Sequence, residues 1–291
     1  MYKKERFKVH VLFSLPTFLI YSIFFVFPLL LGIYYSVTDW NGMTPEYSFI
    51  GIDNYISVFN NKRAMGALVF TIRYAIMLSA SVTLLALFLA LLMNQVFPGR
   101  SFVRAVYFFP AVLSPLVVGL IFNEVYYRFI PILGKALNIA MLNKSPASNV
   151  ATAPYAILFA NVWQSVAIPT TIVLAGLQGV PHDLYEAASI DGANGIVRFF
   201  RITLPYLAPT LTVILVLSVK DGLLLFDYVQ AITGGGPAGS THSIGTYIYQ
   251  QAFEYMRFSS SVAYSVFLFI LVSCFGALYI WGMSKIEAKE G

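Results

Sequence analysis

The chain has 291 residues, of which 58% are hydrophobic and 11% charged, with a mean hydropathy of +0.76. A soluble domain carries about 25% charged residues, so a water-coated globule is excluded and the bilayer is the natural solvent. The net charge of +5 comes from bases at the ends of apolar segments, a pattern that sets membrane orientation and builds no nucleic-acid face.

Apolar runs near the ~20 residues that cross ~30 Å of hydrocarbon fall at residues 11–37, 66–93, 103–125, 152–177, 205–228 and 262–283. The first follows Lys3, Lys4, Arg6 and Lys8. It is longer than a signal-peptide core and lacks a small-residue cleavage site, so it reads as a retained helix. Only helices and closed barrels satisfy the backbone in lipid, and these runs are too uniformly apolar for alternating barrel strands. The expected fold is an all-α membrane protein with about six transmembrane helices. Residues 1–10 form a cytoplasmic N-terminus and residues 11–291 a single transmembrane domain.

Six crossings put both termini on one side. That side carries Lys3, Lys4, Arg6, Lys8, Arg100, Arg104, Arg198, Arg201, Lys285 and Lys289. The other carries Lys62, Arg63, Arg128, Lys135, Lys144 and Arg257 on longer loops. The excess of bases places both termini in the cytoplasm, leaving external segments at 38–65, 126–151 and 229–261.

The sizeable cytoplasmic connection is residues 178–205. Pro181 precedes Asp183, a candidate helix cap, with Glu186 three residues on for a capping box. Gly192, followed by Asn194 and Gly195, is placed to end that helix in a left-handed turn. A second amphipathic segment runs through Ile196, Phe199, Phe200 and Ile202 and ends before Pro205. The periodicity leaves two readings open: a helix pair on the membrane surface with Arg198 and Arg201 at the headgroups, or a docking element.

Glu186, Ala187, Ala188, Gly192, Ile202, Leu204 and Pro205 stand at the spacing E-A-A, three residues, G, nine residues, I-x-L-P. This loop resembles the EAA motif of permeases of binding-protein-dependent ABC importers. The resemblance implies the type I importer permease fold, with the loop as a coupling helix seated in a cleft of a cytoplasmic ATPase. Glu186 would then pair with a base of the ATPase, Ala187 and Ala188 would allow close approach, and Gly192 would make the turn. It also implies a second homologous permease, two ATPase chains that bind the ATP and magnesium, and an extracytoplasmic solute-binding protein, all at a bacterial cytoplasmic membrane. No cofactor is expected in this chain.

Other stretches are similar to the sugar-uptake branch of that family: Phe27-Pro28, Thr38-Asp39-Trp40, residues 49–55, Ser114-Pro115 and Gly176-Leu177-Gln178. The best marker is Phe226-Asp227 with Thr233, Gly234, Gly235, Gly236 and Pro237. The implied function is import of a sugar or oligosaccharide, the alternative being a non-sugar solute such as glycerol 3-phosphate. A secondary transporter is a rival from another class, but it calls for more intramembrane carboxylates or repeated broken helices.

Lys220 and Asp221 fall inside the fifth run, where charge is costly and faces a cavity or a partner. Asp227, seven residues on, is a distant partner for Lys220 on the same helix face. Asn161, Gln164 and Thr170 in the fourth run either donate to a sugar or hold helices together. Asn161, Gln164, Lys220, Asp221 and Asp227 are the candidates for a translocation path. For Trp163 and Tyr228 an interfacial or packing role is the better reading. His10, His182 and His242 lack metal-ligand spacing, Cys274 is a single thiol, and no Walker loop is present. The chain is therefore expected to catalyse nothing itself.

Overall fold

A computed structural model describes the backbone of residues 2–290 and the side chains of residues 12–279, 281 and 282. The terminal bases used above for orientation (Lys3, Lys4, Arg6, Lys8, Lys285 and Lys289), together with His10, have side chains outside those residues. Among the described residues the regular structure is helical, apart from one isolated bridge between Thr38 and Phe49.

In chain order, α1 spans Leu12–Tyr35, α2 Asp53–Asn60, α3 Lys62–Asn94 and α4 Arg100–Phe108. Next come α5 at Pro115–Ala136, α6 at Ala153–Ser165 and α7 at Ala167–Gln178. Then follow α8 at His182–Ile190, α9 at Gly195–Leu223, α10 at Asp227–Ile232, α11 at Ile244–Tyr249 and α12 at Phe258–Glu290. Five of these (α1, α3, α5, α9 and the Phe258–Tyr279 part of α12) are long and apolar enough to cross a membrane, and α6 with α7 makes a sixth as a bent pair.

Three expected spans are redrawn. The third begins at Pro115, not near residue 103. Phe109–Val112 tightens into a 3-10 turn around Pro110, Leu113 and Ser114 are extended, and Pro115 starts α5, where a missing N–H costs nothing. What remains upstream is α4, an amphipathic helix with Phe102, Val103 and Val106 exposed among Arg100 and Arg104, a pattern suited to an interface. The fourth span is broken by 49° between Ser165 and Ala167. Pro169 explains the break, because it cannot donate to the Ser165 carbonyl and its ring would collide with that group. The fifth runs from Gly195, so the second segment of the 178–205 loop is continuous with the membrane helix. Pro205 does not stop it because the turn before, Phe199–Thr203, widens to π geometry and makes room for the ring.

The chain divides into two compact units. The first comprises residues 1–62 and 248–271. No residue of α1 is buried, so its apolar surface is left for lipid or another chain. Just beyond it the chain folds around a buried polar hub. Asn54 Nδ2 donates to the carbonyls of Ser36 (2.9 Å) and Thr38 (2.8 Å), and Ser260 Oγ donates to Asn54 Oδ1 at 2.9 Å. Thr38 and Ser259 share a hydroxyl bond at 3.0 Å, and Trp40 stacks on Tyr35 with centroids 4.2 Å apart. Every buried donor in this hub meets an acceptor, as a buried polar cluster must.

The second unit comprises residues 63–247 and 272–291. Its core centres on Tyr74, Leu78 and Val82 of α3, Val118 and Phe122 of α5, Ile157 and Ala160 of α6, Val173 of α7, and Leu207 and Ile214 of α9. Small residues set the close approaches, because in lipid it is packing that drives helices together. A Cβ on Gly222 would lie 2.5 Å from Ala75 Cα, and one on Gly119 would lie 2.6 Å from Ala231 Cβ. These contacts fix α9 against α3 and α10 against α5. At 1.5 Å per residue α3 is roughly 50 Å long, well beyond the hydrocarbon thickness. Arg73 is exposed on it, and the uninterrupted apolar stretch begins only after that residue.

Candidate functional site

The second unit carries a half-open cavity of about 480 Å³, within the ~300–1,000 Å³ range of small-ligand sites. It opens where helices are interrupted: at the α6–α7 break, at the turn before α5, and at the end of α9. Non-helical backbone at membrane depth is tolerated where it lines a cavity. Asn161, Gln164, Lys220, Asp221 and Asp227, scattered over 67 positions of sequence, all line it. Ser165, Ser218 and Tyr228 line it too. Ser165 carries no signal in the sequence, and Tyr228 reads as one more interfacial aromatic until α10 turns it inward.

Two of the five are engaged in holding helices. Asn161 Nδ2 donates to Tyr74 Oη of α3 at 3.0 Å, and Ser165 Oγ donates to Asn161 Oδ1 at 2.7 Å. Gln164 Nε2 donates to the Leu113 carbonyl at 2.6 Å, while Tyr228 Oη donates to Gln164 Oε1. Gln164 thus ties the turn before α5 to α6 and to α10, and it is 6% exposed. Thr170 bonds back to the carbonyl of Val166, the residue at the break, at 2.8 Å. Trp163 packs edge-on to Phe122 at 5.5 Å.

The charged residues are arranged otherwise than expected. Lys220 Nζ lies 2.9 Å from Asp221, its chain neighbour, and both side chains are about half exposed to the opening. Asp227 is not on the same helix, since α9 ends at Leu223 and Asp227 opens α10. It faces the same cavity and pairs with no cation among the described residues.

The 178–205 loop is a second, separate feature. Its helix α8 starts at His182 with Pro181 as the last extended residue, so Asp183 sits in the first turn and makes no cap, and no capping box forms. The acid still favours the positive end of the helix dipole. At the other end Gly192 has φ +77°. Its N–H donates to the Ser189 carbonyl at 3.1 Å and Ala193 N–H to Ala188 at 2.9 Å, the paired bonds of a Schellman turn. Asn194 then caps the next helix, its Oδ1 accepting from Val197 N–H at 2.9 Å.

Two side-chain bonds brace the pair. Tyr185 Oη and Thr203 Oγ1 share one at 2.9 Å, and Arg198 Nη1 donates to Ser189 Oγ at 3.0 Å. Arg198 is thereby turned onto α8. Glu186 and Ala187 are exposed, with Ala188 half-buried, and Ile190 is 87% exposed. Ile202 and Leu204 are half-buried and Pro205 exposed at the root of the second helix. The loop is thus a braced helix–turn–helix presenting an acid, a small-residue face and bare aliphatic groups.

Residues 82–289 match the model of the binding-protein-dependent transport system inner membrane component family. The chain belongs to that family. It is 37% identical over 275 residues to the multiple sugar-binding transport system permease protein MsmF of Streptococcus mutans, covering 94% of this chain and 95% of that one. It is 33% identical over 288 residues to the trehalose/maltose transport system permease protein MalF of Thermococcus litoralis, covering 96% and 94%. Among solved structures, a chain of a bacterial alginate ABC transporter in complex with an alginate pentasaccharide-bound periplasmic protein superposes with a TM-score of 0.79. That match is at 20% identity over 96% of this chain and 95% of the other, and shows the shared permease fold. As a family member the chain is a multi-pass inner-membrane transport component.

Proposed function

We propose that this chain is the membrane-spanning permease of an ATP-driven importer that carries a sugar or oligosaccharide into the cytoplasm. The observation that carries the reading is the braced 178–205 loop. Its Schellman turn holds Glu186 and Ala187 on an exposed face, the geometry needed to pass motion between a partner and α9, with which the loop's second helix is continuous. Family membership supplies the transport role, and the sugar-transport names of the relatives supply the cargo class.

The assembly we envisage holds a second homologous permease, two ATPase chains that bind ATP and magnesium, and an extracytoplasmic binding protein. In this reading both termini and the 178–205 loop lie in the cytoplasm, which is supported by the excess of bases on that side of the six expected crossings. The motif residues Glu186, Ala187, Ala188, Gly192, Ile202, Leu204 and Pro205 form the ATPase contact and its root. ATP binding closes the ATPases, moves the loop, and opens the permease toward the binding protein, while hydrolysis resets it. The cavity lined by Lys220, Asp221 and Asp227 is the sugar path, with Asn161 and Gln164 shaping its wall.

Gentle solubilisation of a tagged chain from its native host tests this. An ATPase, a second permease and the binding protein should co-purify with the unaltered chain, and the ATPase should be lost with Gly192→Pro or Glu186→Lys. Recovery of the same partners with both variants would refute the contact assigned to the loop.

A further inference from the structure

The cavity has a sign. One base and two acids line it. Lys220 is engaged by Asp221 at 2.9 Å, while Asp227 pairs with no cation among the described residues, which leaves one uncompensated negative charge. The remaining wall is mostly aliphatic, from Leu78, Val82, Ile168, Ile172 and Leu217. Low-dielectric walls around a net charge focus its field and concentrate ions of the other sign. An anion site is built differently, around a free guanidinium or ammonium, and here the single lysine is already paired.

We infer that this cavity takes uncharged, hydroxyl-rich sugars and turns away anionic ones (uronates, sugar phosphates and glycerol phosphate), with Asp227 as the discriminating residue. A carboxylate accepts hydrogen bonds from neighbouring hydroxyls of a neutral sugar. The same carboxylate meets a substrate carboxylate or phosphate as a like charge. The inference rests on the cavity being the sugar path, as proposed above, and narrows the cargo of that path by charge.

The chain's one cysteine, Cys274, makes the test direct. With Cys274→Ser, a thiol introduced by Ser165→Cys, or separately by Leu217→Cys, reports on the cavity inside the whole assembly in lipid nanodiscs. Its reaction with small methanethiosulfonates of opposite charge is followed by the mass of this chain. The cationic reagent is expected to react at least about 5-fold faster than the anionic one, relative to their ratio on a free thiol. Adding Asp227→Asn should remove most of that preference. An anionic reagent that reacts as fast or faster at both positions would overturn the inference, as would a preference untouched by Asp227→Asn. ATP-driven sugar uptake by the unaltered assembly keeps the two readings apart. Absent uptake with the preference intact defeats the importer reading, and intact uptake with no preference defeats the charge reading.

Discussion

Gln164 shows how one side chain can hold a cavity open. Its amide bonds the Leu113 carbonyl on one side and the Tyr228 hydroxyl on the other, so three interrupted elements meet at a single group. Gln164→Leu is expected to lower stability by about 1 kcal/mol, the scale of an interhelical hydrogen bond in lipid, seen as a lower melting temperature in detergent. Tyr228→Phe should have a smaller effect once Gln164 is gone, and a double-mutant cycle reads that coupling. Gly192 carries a backbone demand instead. At φ +77°, Gly192→Ala costs about 1–2 kcal/mol of left-handed strain and should weaken ATPase retention, whereas Gly192→Pro should abolish it. The turn at Gly192 was legible in the sequence because a glycine followed by Asn194 and Gly195 is local chemistry. The engagement of Asn161 and Gln164 was not, since their partners Tyr74 and Leu113 lie 87 and 51 positions away.

Prolines decide the elements. Pro169 breaks α6 from α7 and Pro115 starts α5, while Pro205 is absorbed by a wider turn. Pro169→Ala restores a donor for the Ser165 carbonyl and should let the two helices straighten toward one span. The measurable consequence is slower labelling of a Ser165→Cys thiol and a several-fold loss of uptake. A labelling rate equal to that of the parent would count against Pro169 as the cause of the bend. Gly222 sets the contact of α9 with α3, so Gly222→Leu, with its Cβ forced onto Ala75, should destroy assembly where Gly66→Leu, whose Cβ meets nothing, leaves it intact. Hydropathy located each apolar run, since composition alone governs it, yet misjudged the start of α5, the bend at Ser165 and the end of α9. Those are set by proline sterics and by close helix packing, to which a hydropathy window is blind.

At the scale of the molecule, two features of the second unit stand apart and are joined by one helix. The 178–205 loop begins α9 and the Lys220–Asp221 pair ends it, so a push on the loop has a continuous rod, ~1.5 Å per residue, through which to act on the cavity. The family was legible in the loop because docking fixes residue types at fixed spacing, while the cavity's membership was hidden, being assembled from α3, α6, α7, α9 and α10. Coupling of the loop to the cavity is tested most directly by sugar uptake into proteoliposomes holding the complete assembly, with ATP hydrolysis recorded in parallel. Uptake is expected to require both ATP and the binding protein, and Gly192→Pro is expected to abolish it without disturbing α9 or the cavity. Uptake by this chain alone without ATP, or full ATP-driven uptake by the Gly192→Pro variant, would contradict it.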